Sequence, residues 1–166
     1  MTSPRETLRT VLVAKAHDLF FDYGVPCETV SSVGDASREL CAILGFTNPQ
    51  LSGAVVVCAT PDAISSSNPI GDGATRSWVA ELTNQLVGRF KNELLGMGIE
   101  IVMSIPVVLT ASQLTPLHHL ASPPARLAVG SGFLTTWVEV EIDPDLVLVE
   151  PNAELTITPA GHALMF

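Results

Sequence analysis

A long amphipathic segment at residues 74–96 limits the fold more than any other feature of the sequence. When successive residues are placed about 100° apart, as in an α-helix, the large apolar side chains fall together on one side. A helix with this division buries its apolar side against another layer and leaves the other side to solvent or to a partner. The apolar side consists of Val79, Leu82, Leu86, Phe90, Leu94 and the following Met97.

Polar and small residues occupy the opposite side of this predicted helix, within an arc of about 100°. Glu81 and Asn84 are three positions apart, so their side chains are neighbours. Gly88 costs a helix about 1 kcal/mol relative to alanine, and close approach of another surface is one reason to keep it. An ordinary solvated helix face is the alternative, because no metal-ligand cluster, nucleophile–histidine pair or phosphate-binding loop accompanies these residues. The polar side comprises Ser77, Glu81, Asn84, Gln85, Gly88 and Asn92.

The remaining segments predict an α+β domain with antiparallel strands. A helix over residues 4–22 starts with Ser3 and Glu6 in capping-box positions and Pro4 at its first residue. Residues 30–45 fit either a helix or a strand, and residues 61–73 and 111–124 indicate loops. Strands are expected at 53–59, at 99–110 with an edge position or bulge at Pro106, in a hairpin of 126–131 and 134–142, and in two short tail runs, 146–149 and 155–158.

Composition excludes several classes of function. Of the 166 residues, 47% are hydrophobic and 15% are charged, so the chain is apolar and long enough to form one globular domain. Eight basic against 17 acidic residues give a net charge of −9, which disfavours nucleic acids and anionic membranes as partners. The sequence shows no signal peptide and no apolar run of about 20 residues, so we expect a cytoplasmic protein without a membrane span.

Cysteine and histidine residues give no pattern for a disulfide framework or a metal site. Cys27, Cys41 and Cys58 contain no C-x-x-C pair, and three cysteines cannot form a closed disulfide set. We therefore expect reduced cysteines in the core. His118 and His119 stand in a proline-containing loop without a third ligand nearby, so we expect no metal site there.

A longer pattern connects the polar side of the helix to a known family. The spacing Ser77-x3-Glu81-x2-Asn84-x21-Pro106 resembles the signature of the CheC/CheX/FliY phosphatases of bacterial chemotaxis. The similarity covers roughly residues 5–142 and is closest to the CheX-like branch, which carries one copy of the signature where CheC-type relatives carry two. Further similar blocks are Gly88 four residues after the Asn, Ser104-Ile-Pro106-Val-Val, Ile43-Leu-Gly45-Phe-Thr47 and Leu51-Ser-Gly53-Ala-Val-Val. The spacing Asp35-x3-Glu39-x2-Ala42 is no second copy, because it lacks the Asn.

The resemblance implies a mostly antiparallel sheet with the signature helix and the N-terminal helix packed on it. It favours a strand over residues 35–45, and it predicts a CheX-like domain over 1–142. Residues 143–166 are then a C-terminal extension packed on the same domain. The helix that such proteins have before the signature helix is expected to be shortened or missing at 61–73. A homodimer is also expected, because uncharged strand edges tend to find partners.

The resemblance also implies a function: removal of the phosphoryl group from an aspartate of a CheY-like response-regulator receiver domain. Asn84 would orient the attacking water, and Glu81 would pair with a lysine of the receiver. The protein would hold no cofactor of its own, since Mg²⁺ belongs to the receiver. A non-catalytic adaptor that binds a receiver or switch protein is the alternative, and a structural component of the flagellar switch is a third possibility. Partner contacts are expected from Ser77, Gln85, Gly88 and Asn92.

Overall fold

The computed structural model describes residues 3–32, 39–112, 114 and 123–149, and these form an α+β fold as predicted. Within this part of the chain, no helix combines the length and the apolar character needed to cross a membrane. The elements in chain order are α1 (Pro4–Asp22), β1 (Cys27–Thr29), β2 (Glu39–Asn48), β3 (Leu51–Ala59), α2 (Pro61–Ser67), a 3-10 turn (Asp72–Ala74), α3 (Thr75–Gly96), β4 (Val102–Met103), β5 (Val107–Ala111), β6 (Ala125–Val129) and β7 (Gly132–Ile142).

The strands of the described residues form one antiparallel sheet in the order β1-β6-β7-β3-β2-β4, and β5 also pairs with β2. Successive strand residues point to opposite faces, so the sheet has two distinct sides. One side packs against α1 and α3 and forms the main core, to which β2 and β3 contribute Ala42, Leu44, Phe46, Val55 and Val57. The other side carries a smaller buried cluster of Cys41, Val56, Cys58 and Trp137.

Both long helices begin and pack as the sequence predicts. At the start of α1, the backbone N–H of Glu6 donates to Ser3 Oγ at 3.3 Å, and Pro4 occupies the first turn. After α1 the chain turns at Gly24, whose φ of 67° is a conformation that favours glycine. The predicted apolar side of α3 is buried throughout, and Trp78, Thr83 and Val87 are buried with it.

Two further strand predictions are confirmed. Residues 39–48 form a strand rather than a helix, because β2 is held between β3 on one side and β4 and β5 on the other. The segment around Pro106 lies at the edge of the sheet, where residues 104–106 separate β4 from β5. Ser104 bridges this break, since its N–H donates to the Gly45 carbonyl at 2.8 Å and its Oγ accepts from the Gly45 N–H at 3.0 Å.

The loop prediction for residues 61–73 is wrong over its first half, where α2 forms. Thr60 caps this helix by accepting the Ala63 N–H, and Pro61 occupies the first turn. The serine hydroxyls donate to carbonyls of their own helix, Ser66 to Asp62 and Ser67 to Ala63, so a serine-rich run does not exclude a helix here. The helix is short, in agreement with the expectation drawn from the resemblance.

The strand prediction for residues 146–149 is also wrong. Asp143 accepts the N–H groups of Asp145 and Leu146 in a turn, and Leu146 then inserts into the main core. The Val149 N–H donates to the Met97 carbonyl, which fixes this segment beside the end of α3. The predicted run at 155–158, the first residues of the 35–45 strand and the two neighbouring histidines lie outside the described residues.

Candidate functional site

The polar side of α3 lies at the protein surface, opposite the side that packs on the sheet. Ser77, Glu81 and Asn92 are exposed, whereas Asn84, Gln85 and Gly88 are half-buried. Solvent exposure is expected for both Glu81 and Asn84; it is confirmed for Glu81, whereas Asn84 is half-buried. The helix brings all six residues to one face because they recur at helical spacing.

Glu81 and Gln85 form a hydrogen-bonded pair that is oriented from α1. The Gln85 side-chain N–H donates to Glu81 Oε1 at 2.8 Å, and the hydroxyl of Tyr23 donates to Gln85 Oε1 at 2.6 Å. Both ends of the Gln85 amide are thereby used, so its orientation is fixed. Gln85 was predicted as a partner contact, but in this arrangement it holds one carboxylate oxygen of Glu81 in place.

Tyr23 is itself positioned by Trp78, which belongs to the buried side of α3. The two rings meet edge to face with centroids 5.4 Å apart, and the Trp78 indole N–H donates to Ser67 Oγ at 3.1 Å. Sequence analysis missed Tyr23, because it lies 62 residues from Gln85 and no local pattern connects the two. The available signal is that Tyr23 directly follows α1, at a helix end that contacts the neighbouring helix.

Asn84 makes no side-chain hydrogen bond to any described residue, although it lies one turn from Glu81. Its amide keeps both a donor and an acceptor for a group outside the chain. The packing of the described residues does not require a glycine at position 88, since a Cβ added there would meet none of their atoms within 4 Å. Its destabilising effect on the helix therefore has no internal explanation, and the surface above it is open.

Two basic groups near this face are engaged in ion pairs. Arg89 forms an ion pair with Asp22 at 2.7 Å, and Lys15 of α1 binds Glu93 at 2.9 Å. The hydrogen bond from Glu93 raises the pKa of Lys15, with burial opposing it. Within the described part of the chain, Glu81 has no basic partner, so its carboxylate is available to a cation from outside.

Pro106, the last residue of the spacing pattern, directly precedes β5, and β5 contacts the first turn of α3. The Arg76 guanidinium in the first turn of α3 donates to the Val108 carbonyl at 3.0 Å, which joins the helix start to β5. Pro106 is half-buried, and the adjacent Ile105 is 84% exposed.

Two long helices on one antiparallel sheet, with Ser77, Glu81 and Asn84 on the outer face of the second, are the arrangement expected of the CheC, CheX and FliY chemotaxis proteins. The family model described as chemotaxis phosphatase CheX matches residues 40–127, just over half of the chain. The chain therefore belongs to the CheX family. A comparison with curated protein sequences gives no match.

Solved structures of this class share the fold at low sequence identity. A chemotaxis protein CheX from Vibrio vulnificus is 17% identical, with a TM-score of 0.66 over 84% of this chain and 100% of that chain. A CheX–CheY–BeF3–Mg²⁺ complex from Borrelia burgdorferi matches at 13% identity and a TM-score of 0.52, over 80% of this chain and 96% of that one. FliY from Thermotoga maritima matches at 16% identity and a TM-score of 0.53, over 88% and 93%. These likenesses establish a common fold.

Proposed function

We propose that the chain is a phosphatase that hydrolyses the aspartyl phosphate of a CheY-like receiver domain, with the polar side of α3 as its active face. Membership of a family described as chemotaxis phosphatases supports the reaction class. The relative from Borrelia burgdorferi, solved in complex with CheY, supports a receiver as the partner. The observation that carries the proposal is the free Asn84 amide, one turn from a Glu81 carboxylate that has no cationic partner among the described residues.

The reaction needs a positioned water more than it needs a reactive protein group. An aspartyl phosphate is an acyl phosphate: water oxygen attacks phosphorus, the bond to the carboxylate oxygen breaks, and the carboxylate leaves with the electron pair. The water protons pass to the phosphate product and to solvent. Phosphoryl transfer of this kind is accelerated mainly by in-line positioning and by neutralising charge. The receiver contributes Mg²⁺ and a lysine, so the chain needs no metal in this face.

Asn84 suits the positioning of the water. A carboxamide donates and accepts hydrogen bonds, so it can hold a water molecule in one orientation, and it brings no negative charge toward the phosphoryl oxygens. Its half-buried side chain limits the orientations available before docking. Asn84 is therefore assigned the catalytic role.

Glu81 is assigned to docking. Gln85 occupies Oε1, which leaves Oε2 for the ammonium group of the receiver lysine. A charge pair that closes on contact fixes the register of the two proteins and disfavours partners without a matching cation. Gly88 leaves room for the receiver loops, and Ser77 and Asn92 lie further along the same face.

The test measures the decay of a panel of phosphorylated receivers from the host with wild-type protein and with Asn84→Ala. We expect wild type to accelerate decay of a cognate receiver, and Asn84→Ala to lower that acceleration about 100-fold or more, as misplacement of a reacting group does. Binding to the same receiver loaded with beryllofluoride and Mg²⁺ should change little. Gln50→Ala, which removes an exposed carboxamide in the β2–β3 turn, is the matched control and should keep full activity.

Two results separate this proposal from a non-catalytic adaptor. An adaptor would bind the loaded receiver without accelerating decay, and Asn84→Ala would then have no rate to lower. If wild type accelerates decay and Asn84→Ala is equally fast, the assignment of Asn84 is wrong although the activity is right.

We further propose that the chain forms a homodimer through the sheet edge at β4 and β5. Val102, Ile105 and Val107 are 67%, 84% and 61% exposed there, and unpaired strand edges with apolar side chains favour association. Light scattering at micromolar concentration should give twice the mass of the chain. A purely monomeric species contradicts the proposal, and Val107→Lys should convert a dimer to monomer.

A further inference from the structure

The side of the sheet away from α1 and α3 holds a group of three possible metal ligands. Cys41 on β2 lies directly opposite Cys58 on β3 in the antiparallel register. Glu39 precedes Cys41 by two residues, so its side chain lies on the same side of the sheet. Both cysteines are buried, at 0% and 1% exposure, whereas Glu39 is half-buried. These three residues are called the cysteine cluster below.

The donor atoms of the cysteine cluster are close enough to share one ion. The two sulfurs and a carboxylate oxygen of Glu39 all lie within 4.8 Å of one another. Tetrahedral zinc, with Zn–S bonds of about 2.3 Å and Zn–O bonds of about 2.0–2.2 Å, places its ligand atoms roughly 3.5–3.8 Å apart. The upper bound of 4.8 Å between the donors is about 1 Å above that spacing, and the register sets the two cysteines directly opposite each other.

The cluster also lacks a compensating positive charge. The Glu39 carboxylate makes no hydrogen bond or ion pair with any described residue. Arg76 lines a surface cleft together with Glu39, but its guanidinium donates to the Val108 carbonyl instead. A cation bound between the two sulfurs and this carboxylate would supply the missing positive charge.

We propose that Glu39, Cys41 and Cys58 bind one zinc-like divalent cation, with water as the fourth ligand. Two sulfur donors and one carboxylate favour zinc over magnesium or calcium, which prefer oxygen ligands throughout. Binding displaces the thiol protons to solvent, so the sulfurs bind as thiolates. Glu39 itself borders a cleft of about 340 Å³, which Pro61, Thr75 and Thr110 also line.

The bound ion would connect β2 to β3 on the face of the sheet away from α3 and Asn84. The metal-site proposal is therefore independent of the proposed phosphatase activity. Sequence reasoning expected no metal site, because the two sulfurs come from different strands and no C-x-x-C motif marks them.

Cobalt is the probe for this site, because thiolate ligands give Co²⁺ a charge-transfer band in the near ultraviolet and tetrahedral geometry gives intense visible bands. Fully reduced, metal-free protein is titrated with Co²⁺ and then with Zn²⁺. We expect the bands to saturate at about one equivalent and to disappear as Zn²⁺ displaces Co²⁺. Cys58→Ser should abolish them, and Glu39→Gln should weaken binding by more than the roughly 10–100-fold that loss of an outer-shell partner costs.

Cys27→Ser is the matched control, since Cys27 lies on β1 at the other end of the sheet. This variant should bind Co²⁺ as wild type does. A second readout covers variants that fold poorly: Zn²⁺ should raise the unfolding temperature of wild type and of Cys27→Ser, but not that of Glu39→Gln. Reduced wild-type protein without the near-ultraviolet band overturns the proposal, as does a band that persists in Glu39→Gln and is lost in Cys27→Ser.

Discussion

The polar side of α3 and the cysteine cluster lie on opposite sides of one sheet and differ in what surrounds their polar groups. On α3, Asn84 and Glu81 meet open space, and one glycine keeps that space clear. In the cysteine cluster, two sulfurs are buried and a carboxylate stands beside them without a cation among the described residues. The open polar side of α3 suits a large partner that binds reversibly. The cysteine cluster suits a small ion that stays bound, because an opposite charge close by is one way to stabilise a buried ionised group.

The largest expected effect tests whether the two regions are independent. A Zn²⁺ concentration about 1,000 times its Kd should raise the free energy of unfolding by about 4 kcal/mol. Glu81→Ala should retain this whole gain, because Glu81 lies on the other side of the sheet, whereas Glu39→Gln should lose it. Denaturant titration with and without Zn²⁺ measures both. A smaller gain in Glu81→Ala would show that the two regions are coupled.

Removal of the Glu81 carboxylate should affect docking more than stability. Glu81→Ala should weaken binding of a beryllofluoride-loaded receiver by about 1–3 kcal/mol, because a buried charge on the receiver loses its partner. Glu81→Lys should weaken it further, since like charges then face each other. Titration calorimetry gives the affinities, and a stability change within about 0.5 kcal/mol is expected for the alanine variant. Unchanged affinity in both variants would place docking elsewhere.

Substitution of Gly88 should move stability and binding in opposite directions. Gly88→Ala should stabilise the chain by about 0.5–1 kcal/mol, because alanine favours the helix and its Cβ meets no atom within 4 Å. The same methyl group should weaken receiver binding if the receiver approaches the helix closely. Thermal unfolding and calorimetry on one protein sample give both values. Stabilisation with unchanged binding would mean that the receiver does not contact this turn.

The most indirect effect is expected from Tyr23→Phe. The ring and its contact with Trp78 remain, but the hydrogen bond to Gln85 is lost, at a net cost of about 0.5–1.5 kcal/mol. The Gln85 amide can then rotate and release Glu81, so receiver affinity should fall while the rate at saturating receiver stays the same. In a Gln85→Ala background, Tyr23→Phe should have no further effect on affinity. An additive loss of affinity would show that the Tyr23 hydroxyl acts on receiver binding by a route other than Gln85.

These regions also differ in how far their geometry follows from sequence. The two faces of α3 could be predicted because helical spacing places i and i+3 side chains together, and the start of α1 because Ser3 and Pro4 are local signals. The pairing of Cys41 with Cys58 depends on the register of two strands, which no local pattern gives. The contact between Tyr23 and Gln85 depends on how two helices pack, and α2 was misassigned because serine hydroxyls bond to the helix itself.

The chain contains two tryptophans, and the fold places one on each side of the sheet. Trp78 lies under the polar side of α3, hydrogen-bonded to Ser67, whereas Trp137 is buried with Cys41 and Cys58 and its indole N–H has no partner among the described residues. An indole without a hydrogen bond in an apolar site emits at shorter wavelength than a hydrogen-bonded one. Two single-tryptophan proteins, Trp78→Phe and Trp137→Phe, would therefore act as separate optical sensors. Trp78→Phe retains Trp137, whose emission would report on the cysteine cluster. Trp137→Phe retains Trp78, whose emission would report on the polar side of α3.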